Sequence, residues 1–87
     1  MYYVDDFLKS INAAERLPGY NVNGTQSSGV IDGPDYRVSI YANPENTVTL
    51  NDKISGLYKI LKFGINGAEE LKDRVERIVG MLESTGY

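Results

Sequence analysis

The sequence predicts a two-layer α+β domain: one helix, a three-stranded antiparallel sheet, then two more helices. Three observations carry this expectation. Apolar residues recur at helical spacing near the start, alternate with period two through the middle, and return to helical spacing in the last third. The 87 residues suit a single domain over positions 1–87, because two independent cores would each fall near the practical minimum size. Area scaling gives roughly 5,100 Å² of folded surface against roughly 14,000 Å² for the extended chain, enough burial for a core.

The first helix is expected over Val4 to Leu17. Val4, Phe7, Leu8, Ile11 and Ala14 share one face, Asp5 and Asp6 favour its first turn, and Leu17-Pro18-Gly19 ends it. From Tyr20 the period becomes two, with Tyr20 and Val22 on one side and Asn21 and Asn23 on the other. Gly24 to Gly29 reads as a loop and Asp32-Gly33-Pro34 as a turn, with Val30 and Ile31 as a short strand or edge plug between them. Asp35 to Ala42 alternates Tyr36, Val38, Ile40 and Ala42 against Arg37, Ser39 and Tyr41. After Asn43-Pro44-Glu45-Asn46, Thr47 to Leu50 returns with Val48 and Leu50 inward, completing a hairpin. Asn51 or Asp52 is placed to cap a second helix ending near Phe63, with Ile54, Leu57, Tyr58 and Leu61 as its stripe and Gly64 as its terminator. A third helix opens at Asn66, carries Leu71, Val75, Ile78, Val79 and Leu82, and frays at Gly86. Each hairpin strand has one apolar face, so the helices need cover only one side of the sheet.

Composition removes several kinds of chemistry. The chain has no Cys and no His, which excludes metal sites built on those ligands, thiol nucleophiles and His-based dyads. No cofactor or metal is expected, and neither is enzymatic activity. The opening Met1-Tyr2-Tyr3-Val4-Asp5-Asp6 lacks the basic and apolar regions of a signal peptide, and no stretch reaches the ~18 apolar residues of a membrane span. The expected location is cytoplasmic. Asn23-Gly24-Thr25 matches a glycosylation sequon and is read as a turn.

Motif-like features resolve the same way. Gly24 and Gly29 have the spacing of a phosphate-binding loop, but Val30-Ile31 stands where Lys-Ser/Thr is required. The last two helices superficially suggest a helix-turn-helix, yet the would-be recognition helix begins Asn66-Gly67-Ala68-Glu69-Glu70 and the chain carries a net charge of −3. The counterion release that drives DNA binding is missing, so direct nucleic-acid binding is not expected. Along the third helix, Glu70 with Arg74, Asp73 with Arg77, and Glu69 with Lys72 have ion-pair spacing. Asp32 and Asp35 flank a turn but are too few for a calcium loop.

Tyrosine is the least routine feature, with seven Tyr against two Phe and no Trp. Tyr36 and Tyr58 fall on apolar stripes and are expected in the core, whereas Tyr41 points outward, where a rigid ring and hydroxyl suit an interface. Tyr2, Tyr3 and Tyr87 are terminal. Tyr41, Asp32, Asp35, Glu69, Glu70 and Asp73 are the candidate partner-binding residues.

The expected layout, the polar loop Asn23 to Ser28 and the acid-led last helix resemble the small phage proteins that inhibit Cas9, the anti-CRISPR proteins. That resemblance implies a non-enzymatic inhibitor that binds a CRISPR nuclease complex inside the host cell. No diagnostic motif matches residue for residue, so no functional residue is carried over; those proteins act through a carboxylate-rich surface and are far more acidic than this chain, which departs from them in that respect. The expected function is a small protein-binding module, most plausibly a phage or mobile-element inhibitor of a host defence nuclease. The alternatives are a self-associating assembly protein, monomer or homodimer being open, and a small DNA-contacting regulator.

Overall fold

The alternation that the sequence shows through its middle extends further in the molecule. The computed structural model describes residues 3–85 and contains five strands in place of three. In chain order these are α1 (Val4–Ser10), α2 (Ala13–Arg16), β1 (Asn21–Gly24), β2 (Ser28–Asp32), β3 (Tyr36–Tyr41), β4 (Asn46–Asp52), β5 (Tyr58–Gly64) and α3 (Ala68–Thr85). The sheet is a meander, β1-β2-β3-β4-β5, antiparallel throughout. The α+β class holds; the helix–three strands–helix–helix order does not.

Two cross-strand rows make its apolar face. One runs Val22, Ile31, Val38, Leu50 and Lys59; the next runs Gly24, Gly29, Ile40, Val48 and Leu61. The helices lie on this face. Val4, Phe7 and Leu8 of α1, Ala13 of α2 and the stripe Leu71, Val75, Ile78, Val79 and Leu82 of α3 close one core over Ile31, Val38, Ile40 and Val48. The opposite face carries Asn23, Val30, Ser39, Thr49 and Ile60 in one row and Asn21, Asp32, Arg37, Asn51 and Tyr58 in another.

The two glycines of the polar loop have a structural use. Gly24 and Gly29 pair directly across β1 and β2. A Cβ on Gly29 would sit 2.8 Å from Val4 Cγ1 and 3.0 Å from Leu8 Cδ1, so the missing side chains let α1 lie down on the hairpin. The loop then caps the helix. Val4 N–H donates to the Gln26 carbonyl at 3.1 Å and Asp5 N–H to the Thr25 carbonyl at 3.0 Å, satisfying two of the amides that a helix start leaves open. Carbonyls face the helix here, the reverse of a phosphate cradle.

Two expected helices are corrected. The first is broken: Asn12 takes the left-handed conformation at φ 57°, which Asn tolerates better than other non-glycine residues, and the chain turns between α1 and α2. The second does not form. Asp52 does act as a cap: its Oδ1 accepts from Ile54 N–H at 3.0 Å and Ser55 N–H at 3.1 Å. Only one turn follows, because Gly56 is left-handed at φ 79° and its N–H donates back to the Asp52 carbonyl at 2.8 Å. The chain then runs out as β5, so the expected stripe is divided: Leu61 packs against the core while Ile54, Leu57 and Tyr58 are exposed. The third helix is present from Ala68; its fraying point, Gly86, lies outside the described residues, as do Tyr2 and Tyr87.

Gly29→Ala is expected to lower stability by about 1–3 kcal/mol through overpacking against α1. Gly80→Ala is the contrasting case: its Cβ meets nothing nearer than Arg16 Nη2 at 3.8 Å, so a helix-interior gain of about 0.4–1 kcal/mol is expected. Urea midpoints of the two variants should therefore move in opposite directions.

Candidate functional site

The structure does not gather the sequence-selected residues into one site. Tyr41 is exposed at the end of β3 on the open face. Asp32 lies on the same face at the far end of β2, where Lys53 Nζ stands 2.7 Å from its Oδ1. Lys53 also donates from Nζ to the Gly33 carbonyl at 2.6 Å and from its N–H to the Asp35 carbonyl at 2.8 Å, so Asp35 contributes backbone to a brace between two turns. Glu69, Glu70 and Asp73 are exposed on α3 in the other layer.

Displaced pKa values follow structural contacts. The hydrogen bond from Lys53 and its charge hold Asp32 below the usual carboxylate range, and donors in the Ser55 and Ile54 turn lower Asp52. Arg16 Nη2 donates to Glu83 Oε1 at 2.9 Å, tying α2 to α3 and lowering Glu83. Burial, with Asp35 nearby, raises the Tyr20 hydroxyl. Among the described residues, no group of three His, Cys, Asp or Glu could hold a metal ion.

Of the three expected ion pairs on α3, only Glu69 with Lys72 forms, at 3.7 Å. Arg74 and Arg77 turn instead toward the sheet. With Lys59 they rim a groove of about 200 Å³ between α3 and β5, whose apolar lining is Val48, Leu50, Leu61, Ile78 and Met81. None of these three cations belongs to an ion pair among the described residues.

The residues missed by sequence reasoning lie on the same strand and its turns, Tyr58 and Ile60 on the face opposite this groove. Ile54, Leu57, Tyr58, Ile60 and Ile65 are 49–82% exposed, and they make up five of the seven large apolar residues exposed among those described. All belong to β5 or the turns at its ends. Period-two polarity could not have found them, since each face of 58–63 carries two apolar residues and one lysine; the one sequence cue against a helix there is Gly56. A second hollow, about 460 Å³, lies between α1–α2 and β1 and is lined by Leu8, Ala13 and Val22 with Asp5, Lys9 and Glu15. Its charges are of both signs and form no cluster.

At the other end of β5 the chain is held firmly. Buried Asn46 donates from Nδ2 to the Gly64 carbonyl at 3.0 Å and the Ile65 carbonyl at 3.2 Å. A bulge there sets Phe63 and Gly64 against Asn46, a local irregularity of the kind that bends a strand.

Comparison with protein-family models, curated proteins and solved structures finds no match to this chain.

The three depressed carboxylates set the sign of the acid response. Their folded pKa values lie below the ordinary 3.8 for Asp and 4.5 for Glu. The stability they contribute is complete above those ordinary values and is lost as pH falls through the folded ones. Melting temperature is expected to hold from pH 7 to about 5 and to fall below about pH 4, with a shallower fall in Glu83→Gln. Parallel curves for the two proteins would show that the Arg16 pair contributes nothing.

Proposed function

We propose that this chain is a non-catalytic protein-binding module that engages its partner through the β4–β5 hairpin. The observation that carries this reading is the concentration of exposed apolar side chains in residues 54–65. Exposed apolar side chains concentrated on one strand and its turns mark an interaction site more often than residues scattered singly over a surface do. Tyr58 and Ile60 extend that surface onto the open sheet face, where Tyr41 stands farther along.

The finer reading makes the partner a host defence nuclease and the chain its phage-encoded inhibitor. It rests on the resemblance in layout, and the element order observed, two helices, five strands and a helix, differs from the one that prompted it. CRISPR nuclease complexes therefore form one arm of the test.

The double variant Leu57→Ser, Ile60→Thr alters only exposed side chains and is expected to keep the wild-type melting temperature. Immobilised wild-type protein should retain a partner, from a nuclease panel or host lysate, that the variant retains about tenfold less. Equal retention by both proteins, or none above bare matrix, would overturn the reading. Light scattering that shows a concentration-dependent dimer lost in the variant would replace it with self-assembly.

A further inference from the structure

We infer that the free edge of β5 accepts an extended, acidic–apolar peptide segment as a sixth strand, whose alternate side chains enter the groove beneath α3. This deepens the proposed function and rests on it, naming the mode and chemistry of the contact.

Three observations converge on the edge. β5 is the last strand of the sheet and pairs only with β4, so its outer backbone groups have no strand partner. Such a row is a template for another chain. The groove lies on the helix side of this same strand, where Lys59 and Leu61 alternate toward it. Side chains of an added strand repeat with the same period of two, so those flanking Leu61 would pack on it and extend toward Ile78 and Met81 of α3. Lys59, Arg74 and Arg77 ring the groove and have no acidic partner among the described residues.

Charge selects the occupant. Residues Tyr58–Gly64 carry Lys59 and Lys62 and no acid. A second copy pairing edge to edge would bring two acid-free, lysine-bearing strands together, with Lys59 or Lys62 against its own equivalent in the register centred on it, a known defence of natural sheet edges against self-pairing. An acidic segment meets no such repulsion, and each of its carboxylates finds an unpaired cation. Its apolar side chains meet the apolar floor.

The probe is a synthetic peptide of β5's seven-residue length, Thr-Glu-Thr-Leu-Thr-Glu-Thr, which places Glu, Leu and Glu on one face in either strand direction. Two versions carry N-methyl groups on the odd or on the even residues, and a third replaces Glu with Lys. Strand addition uses the amides of every second residue, so one methylated peptide should lose binding while the other keeps it. The Lys peptide should bind about tenfold more weakly or worse, as should the Glu peptide to Arg74→Glu, Arg77→Glu. Backbone amides of β5 should exchange more slowly in the complex. Equal binding of both methylated peptides, unchanged β5 exchange, or indifference to the arginine reversals would overturn strand addition. If the peptides fail while a partner is still captured through Leu57 and Ile60, only the strand mode falls; if capture fails too, the binding reading falls with it.

Discussion

A five-stranded sheet with a single apolar face must be roofed on that side, and the described residues supply three helices with which to do it. Everything else follows from how that cover is distributed. α1 and α2 lie over the β1–β2 side, held down where Gly24 and Gly29 leave space. The apolar stripe of α3 packs chiefly on β4 and less on β5. The roof therefore thins before the last strand. Leu50, Leu61 and Phe63 remain only partly covered, and the groove beside β5 is the gap that results.

Electrostatics reinforce that asymmetry. The chain is acidic overall, at −3, yet its positive charge gathers at the thinly covered edge. Three other cations are engaged in ion pairs: Arg16 with Glu83, Lys53 with Asp32 and, on β5 itself, Lys62 with Glu45. Such exposed pairs stabilise weakly, but they fix which elements touch. Arg74 and Arg77 face the sheet because their positions on α3 flank Ile78, whose side chain is packed into the core.

The β3–β4 hairpin and α3 were legible because their apolar periods admit one reading. Val38, Ile40, Val48 and Leu50 alternate, and Leu71, Val75, Ile78, Val79 and Leu82 recur at three and four. Residues 52–63 were not, since Leu57, Tyr58 and Leu61 satisfy a helical stripe while Lys59, Leu61 and Phe63 satisfy a strand. Asp52 compounded the ambiguity: it caps amides two and three residues ahead in a hairpin turn by the same hydrogen bonds with which it would begin a helix. The candidate surface inherits that misreading, because a stripe assigned to the core cannot also be read as exposed. Tyr58 is the clearest case, standing on the open face, 60% exposed.

What the sequence by itself determined is the class and the chemistry: α+β patterning, one apolar sheet face, an apolar final helix, and a composition without Cys or His. These are local properties, set by side-chain period and residue type. Tertiary structure decided the number of strands, the break at Asn12, the use of the two glycines and the location of the exposed apolar surface. Each of those depends on a contact between distant segments. β5 is a strand because β4 offers it a ladder, and its Tyr58 and Ile60 stay uncovered because the helices all pack on the other face of the sheet. Cover is a property of the whole chain, and no window of residues contains it.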